Sequence, residues 1–322
     1  MQGPAHNPAN AANASTDRLP FVSIVTVNWN GLEDTTECLE SVAAQSYPSY
    51  AITVVDNASD GDDAARLKRR FGSLIQLVQN DRNYGCGEGY NRGILAAVER
   101  DDPEYVLVLN NDVVLDPGLL GELVAVAESD ERIGVVGPKI YYYDYRGRKD
   151  IIWSAGGTLH YWSPRIPYQR GVGREDGPEF SSRRDVDWLS GAVLLVRPSI
   201  LRKVGFFNPW YFYGAEDIEL CLKARRHGAR LLYVPTAMAW HKEGVAARKL
   251  GLLHVDPAAY YYFVRQCFPW YVCVYQRVLF PALLARWAVR YITRRRHEPL
   301  RPFISQLMKS LTGHALRNRA EQ

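Results

Sequence analysis

Apolar runs and polar breaks alternate along most of this chain with a period that predicts strands and helices in turn. Phe21–Val27 is β-branched and apolar, then stops at Asn28, Trp29, Asn30 and Gly31. A helix is predicted over Glu33–Gln45, with Leu39, Val42 and Ala43 on one face and Tyr47–Pro48 ending it. Ile52–Asp56 reads as a second strand, Asp62–Phe71 as a short charged helix, and Leu74–Val78 as a third strand closing in Asn80–Asn83. A glycine-rich segment, Gly85–Gly93, leads into a helix through Val98. Tyr105–Leu109 then forms a fourth strand that runs straight into Asn110, Asn111 and Asp112. Short uninterrupted apolar runs suit strands buried on both faces of a parallel sheet. The strand–helix rhythm predicts an α/β fold with helices on both sides of that sheet.

All four strands release polar residues at their carboxyl ends, where open α/β sheets bind ligands. Asn28, Asn30, Asp56, Asn83 and Asp112 are thereby expected along one edge. Taken alone, Asp112 reads equally as a turn residue before a helix at Asp116–Pro117 or as a ligand for a cation or phosphate.

Beyond residue 130 the pattern loosens. Gly134–Ile140 reads as a strand, and Tyr141–Asp187, rich in aromatics, glycine and arginine, as loops and short antiparallel pieces. Trp188–Arg197 reads as a strand again. An aromatic loop, Phe206–Tyr213, precedes a helix predicted over Glu216–His227 and stopped by Gly228. A late strand, Leu231–Pro235, comes before Trp240–His241.

Composition narrows the classes. At 322 residues and 47% apolar, the chain has room for one large domain and an appendage. A net charge of +4 does not argue for nucleic acid, and no recognised nucleic-acid module is present. Five cysteines without C-x-x-C spacing read as reduced thiols in a cytoplasmic setting. Residues 1–19, rich in Asn and Ala and without an apolar core segment, are expected to be a disordered tail and not a secretory signal. The glycine-rich segment lacks the Gly-Lys-Ser/Thr of a nucleotide triphosphate loop, and its spacing differs from a dinucleotide fingerprint.

Seven stretches now stand in a particular order: Val22–Asn30, Val-Val-Asp56-Asn, Asn83–Asn91, Leu-Asn-Asn-Asp112, Trp188-Leu-Ser-Gly191, Gly-Ala-Glu216-Asp217 and Trp-His241. Together they resemble a family 2 glycosyltransferase of the GT-A fold, near the bacterial rhamnosyltransferase-like branch, over Phe21 to Lys249. The resemblance implies a Rossmann-like, mostly parallel sheet flanked by helices. It implies a nucleotide-sugar site built from Asn28, Asn30, Asp56, Asn83, Asn91, Asn110 and Asn111. Asp112 would bind a divalent metal, Mn2+ or Mg2+, with His241 joining the metal or the diphosphate. Asp217 would be the base of an inverting transfer, with Glu216 beside it raising its pKa. Trp188, Gly191, Trp210 and Tyr213 are candidates for the acceptor side. One departure matters: Asn110 replaces the first acid of the D-x-D motif, leaving Asp112 as the charged ligand. The donor implied is dTDP-rhamnose, and the acceptor a lipid-linked oligosaccharide or cell-surface polysaccharide. A nucleotidyltransferase and a degenerate sugar-nucleotide-binding protein remain as rival readings; oligomeric state is not readable.

Residues 251–322 are expected to form a helical, membrane-associating region at the inner face of the cell membrane. A spanning helix is disfavoured because Arg277 and Pro281 interrupt every window, and an arginine at the bilayer centre costs about 2.5–3.5 kcal/mol. Instead, Phe280, Leu283, Leu284 and Trp287 share one helical face, with Arg286, Arg290 and Arg294 on another. That pattern suits a helix lying at a lipid interface.

Overall fold

The computed structural model describes residues 18–163, 166–243 and 257–294. Thirteen strands and eight α-helices follow in the order β1 (Val22–Asn28), α1 (Leu32–Ala43), β2 (Tyr50–Asp56), α2 (Asp63–Phe71), β3 (Ile75–Gln79), α3 (Cys86–Asp101), β4 (Tyr105–Asn110), β5 (Val113–Leu115), α4 (Leu119–Glu128), β6 (Ile133–Tyr142), β7 (Ile151–Ser154), β8 (Gly157–Leu159), β9 (Pro167–Gln169), β10 (Arg174–Glu175), β11 (Arg184–Asp185), β12 (Val193–Val196), α5 (Pro198–Val204), α6 (Glu216–Arg226), β13 (Arg230–His241), α7 (Pro257–Cys267) and α8 (Trp270–Arg294).

The central sheet runs β10-β7-β6-β12-β4-β1-β2-β3. Its half β4-β1-β2-β3 is parallel, as the apolar runs predict, and its register aligns the carboxyl ends. Asn28 pairs with Asp56, and Val27 with Asn110. Val106, Leu107, Val108 and Leu109 of β4 are completely buried. At about 1.5–3 kcal/mol for each such side chain, that strand is a firm anchor for the Asn-Asn-Asp segment that follows it. One apolar layer joins α1 and α4 to the sheet; the other joins α3, α5 and α6 to its opposite face.

Two expectations are corrected. The strand predicted over Trp188–Arg197 is confined to β12, antiparallel to β4 and β6. Trp188–Gly191 instead leaves the sheet to meet β8 and α6, through a bridge at Gly157 and the Gly191 N–H. The late strand does not end at Pro235. β13 absorbs the proline through a register shift between Val234 and Met238 and continues alongside β6 to His241. There it pairs antiparallel with β5, His241 opposite Val113.

Helix α7 packs on α6 and the aromatic loop in a third cluster, with Tyr260, Phe263 and Val264 against Tyr211 and Leu222. Helix α8 is continuous through Pro281 to Arg294, and no helix among the described residues is long and apolar enough to cross a membrane. Residues 1–17 of the tail expected over 1–19 lie outside the described residues. So do the side chains of Phe280, Leu283, Leu284, Trp287, Arg290 and Arg294.

Candidate active site

At the carboxyl edge of the parallel strands, Asp112 sits immediately after β4 and almost fully buried. Its Oδ1 is 3.0 Å from His241 Nε2, a contact created by the pairing of β13 with β5. The other ring nitrogen, Nδ1, is buried with no hydrogen-bond partner, while the Trp153 ring lies nearly perpendicular to the imidazole with ring centroids 4.3 Å apart. Burial alone would raise the Asp112 pKa, but His241 and then Lys242 outweigh it and hold the carboxyl below its ordinary value. Lys242 is fixed in turn by Asp34 at 2.6 Å and Glu37 at 2.7 Å. Tyr143 donates to the same Glu37. Helix α1 therefore clamps the end of β13 beside the acid.

A cavity opens above this pair. Besides Asp112 and His241 it is lined by Val27, Trp29, Asn57, Asn83, Gly85, Cys86, Tyr90, Asn110, Asn111, Phe212 and Tyr213. Asn110 accepts a hydrogen bond from the Tyr90 hydroxyl at 2.8 Å, and the Asn111 amide donates to Thr35. Gly85 has a positive φ of 83°, and a Cβ there would stand 2.6 Å from the Phe212 carbonyl oxygen. Only glycine allows the aromatic loop to close this near to the start of α3.

The acidic pair opens α6. Asp217 Oδ2 accepts the Gly191 N–H at 2.7 Å, and Oδ1 accepts the N–H of Ile218 at 2.8 Å. A Cβ on Gly191 would lie 3.1 Å from the Asp217 Cβ, so the bare backbone is what lets the two approach. Glu216 is only half-buried as a residue, yet its Oε2 is out of reach of solvent and has no partner. Burial, then the neighbouring Asp217 charge, pushes the Glu216 carboxyl well above the usual range; burial pushes Asp217 up too. Glu216 and Asp217 are not among the residues lining this cavity, but both act, together with Asp112, on the thiol of Cys86 in its wall. The same surroundings, burial foremost, raise the Cys86 thiol well above its usual value, which argues against a thiolate nucleophile there.

An acid whose pKa rises on folding contributes stability that is complete below its unfolded pKa and is lost as pH climbs through the folded value. The wild type's stability to chemical denaturant should therefore fall as pH rises from the ordinary carboxylate range towards the raised Glu216 value. Glu216→Gln is expected to flatten that slope and to raise stability at the alkaline end. A variant with the parent's slope would show that Glu216 is not held protonated.

Several predicted residues take other positions. Asn28 is completely buried: its amide donates to Asp56 at 2.9 Å, Ser59 at 3.1 Å and Asp63 at 3.1 Å, and its oxygen accepts from Thr35. It orients Asp56 and does not face the cavity. Asp56 also accepts from Ser59 and lies one residue before the lining Asn57. Asn30 is bonded to Asp60 at the rim. Asn91 points away, exchanging hydrogen bonds with the Phe207 backbone at 2.8 and 3.0 Å and so tying α3 to the aromatic loop. Trp188 is a core residue, 5% exposed, with its ring over Gly157. Trp210 stacks on Tyr262 of α7, ring centroids 3.7 Å apart. Neither tryptophan is among the residues that line the cavity. Trp29, Asn57, Tyr90 and Phe212 line it without having been singled out. Asn57 was legible as the neighbour of Asp56; it bonds Asn83 and the Gly85 carbonyl, knitting the loop after β3.

The model of the glycosyltransferase-like family 2 matches residues 20–272. The N-acetylglucosaminyl-diphospho-decaprenol L-rhamnosyltransferase of Mycobacterium tuberculosis is 30% identical over 261 residues, covering 76% of this chain and 80% of that enzyme. Rhamnosyltransferase WbbL of Escherichia coli is 29% identical over 171 residues, 48% of this chain and 60% of that one. Among solved structures, the mannosyltransferase PcManGT of Pyrobaculum calidifontis, in complex with GDP-Man and Mn2+, superposes with a TM-score of 0.55 at 16% identity, covering 92% of this chain and 88% of that one. This last likeness is one of fold, and the fold is GT-A.

Proposed function

The chain belongs to the glycosyltransferase-like family 2 and is a glycosyltransferase acting with a nucleotide-sugar donor; from that premise we propose that it inverts the anomeric centre and transfers rhamnose from dTDP-rhamnose to a lipid-linked oligosaccharide or cell-surface polysaccharide at the inner face of the membrane. The rhamnosyl assignment draws support from the names of the two rhamnosyltransferase relatives. The observation that carries the mechanism is the Asp217 carboxylate at the start of α6, held by the backbone N–H groups of Gly191 and Ile218.

In this reading the acceptor hydroxyl approaches the anomeric carbon from the face of α6. Asp217 takes its proton as the new C–O bond forms and the bond to the diphosphate breaks. Its two N–H partners fix the rotamer, so the proton-accepting edge is aimed before substrate arrives. Glu216, kept protonated by burial, adds no second negative charge to repel the nucleotide. Asn57, Asn83 and the Asp56 strand end cradle the nucleoside, and Tyr213 with the Phe212 backbone shields the transfer from water.

Asp112 and His241 would hold a divalent cation, manganese or magnesium, together with diphosphate oxygens. Among the described residues no cluster of three acidic, His or Cys ligands exists, so donor oxygens must complete the shell. The donor set fits: a buried carboxylate oxygen and an imidazole nitrogen, Asp112 Oδ1 and His241 Nε2, stand 3.0 Å apart at the cavity. When bound, such a cation acts as a Lewis acid on the departing diphosphate.

The test is transfer from dTDP-[14C]rhamnose to a polyprenyl-diphosphate-linked sugar, with product configuration read by NMR. Inverted rhamnoside product supports the proposal. Transfer only from other nucleotide sugars, or with retained configuration, would overturn its donor or its stereochemistry respectively.

A further inference from the structure

Among its described side chains, helix α8 is fastened to the domain by one face. Val272 and Gln276 are buried, the Gln276 amide donates to the Ser163 carbonyl at 2.8 Å, and the Tyr275 hydroxyl donates to the Trp162 carbonyl at 2.7 Å. The opposite side carries an apolar stripe with nothing over it among the described residues. At 3.6 residues per turn, Trp270, Val274, Val278 and Ala285 fall within about 80° of one another. Trp270 is 77% exposed, Val274 52% and Val278 74%, and Ala285 is exposed as well. Trp162, on the adjoining loop, is 62% exposed and stacks against Tyr271, extending the stripe sideways. Large aromatics exposed beside valines have little reason to stay in water at a cost that burial would remove.

The charge around the stripe says what covers it. Arg277 and Arg286, both exposed, flank it on the two sides. Between residues 257 and 297 the sequence has seven arginines and no acidic residue. Arg225 and Arg226, on a neighbouring groove, are already engaged, the first with Asp187 at 2.5 Å and the second with the Cys267 carbonyl. Arg277, 5.8 Å from the Tyr261 ring centroid, has no acidic partner among the ion pairs of the described residues and stays exposed, as does Arg286, so these two supply the attraction. A second copy docking through the same face would bring arginine against arginine with no acid to answer it. A flat anionic surface that accepts tryptophan at its polar boundary and valine just below is the complementary partner.

We propose that the exposed stripe of α8, with Trp162 beside it, is a membrane-docking face that seats the enzyme on anionic lipid headgroups. The face differs from the one expected over Phe280–Trp287, which lies outside the described side chains. The purpose of docking rests on the proposed lipid-linked acceptor, but its measurement does not. Sedimentation of the full chain with phosphatidylcholine vesicles, with and without phosphatidylglycerol, reads binding directly. The wild type should bind the anionic vesicles and release them in high salt. The variant W270S/V274S/V278S should partition about tenfold or more weakly, with an unchanged circular dichroism spectrum and unchanged transfer to a water-soluble acceptor. In the wild type, brominated lipids should quench tryptophan emission, and Trp270→Phe should diminish that quenching. Equal sedimentation of parent and variant would overturn the proposal. So would a wild-type dimer that the triple substitution dissolves without any vesicle binding. Failure of rhamnosyl transfer with vesicle binding intact would instead refute only the assigned substrates.

Discussion

Asp217→Asn is expected to lower the rate of transfer by about 100- to 10,000-fold, the range a positioned general base contributes, while donor affinity stays near that of the wild type. Asparagine keeps an oxygen for the Gly191 N–H, so the packing of α6 against the loop after Trp188 is retained. It cannot accept the acceptor's proton. The predicted signature is a collapse of kcat with the donor dissociation constant little moved, measured by single-turnover transfer and by calorimetry on the same preparation. Turnover at the parent's rate would remove Asp217 from the chemistry. A matched loss of donor affinity would point to a structural role in its place.

Asp112→Asn should act on the other half of the reaction. The substitution preserves shape at a side chain that is almost fully buried but deletes the charge that His241 and Lys242 hold in ionised form. Because Asn110 is neutral, no neighbouring acid in the Asn-Asn-Asp segment can stand in for it. Donor binding in the presence of manganese should fall by about tenfold or more, the scale on which altered metal shells lose affinity, and should no longer respond to added metal. His241→Ala should move binding in the same direction by less, since the carboxylate survives. Retained manganese dependence in Asp112→Asn would show that the cation sits elsewhere.

The alternation of apolar runs and polar breaks was enough to place β1 to β4, their common polar edge and the helix that begins at Glu216. Each of those depends on local periodicity, which is written in consecutive residues. What sequence could not settle was the direction of polar side chains once the strands ended. Asn28 and Asn111 both follow apolar strands, yet one is consumed in orienting Asp56 and the other lines the cavity. The difference lies in Asp56, Ser59 and Asp63, 28 to 35 residues on, which take up the Asn28 amide. Asn91 looked like part of a glycine-rich ligand loop, but α3 turns it toward Phe207, more than a hundred residues on. Aromatics serve either as sugar platforms or as packing, which sequence does not distinguish; the fold buries Trp188 against Gly157 and stacks a half-buried Trp210 on Tyr262. Pro235 read as a stop because a proline removes a ladder donor, and only the register shift beside β6 shows how β13 survives it to deliver His241 to Asp112.

Gly191 illustrates the reverse case. The resemblance marked it only as a motif glycine on the acceptor side, whereas its N–H is one of the two that hold Asp217. The physical reason for a glycine is plain once the 3.1 Å approach is known, and no pattern in the surrounding sequence encodes that distance.

The central claim is that metal and nucleotide diphosphate complete one site around Asp112, each supplying what the other lacks. Calorimetric titration of dTDP-rhamnose into the wild type, with manganese and with chelator, tests it most directly. The account predicts tighter donor binding with manganese by about 5- to 150-fold, and by linkage the same factor for manganese when donor is present. Equal donor affinity in the two titrations would contradict it.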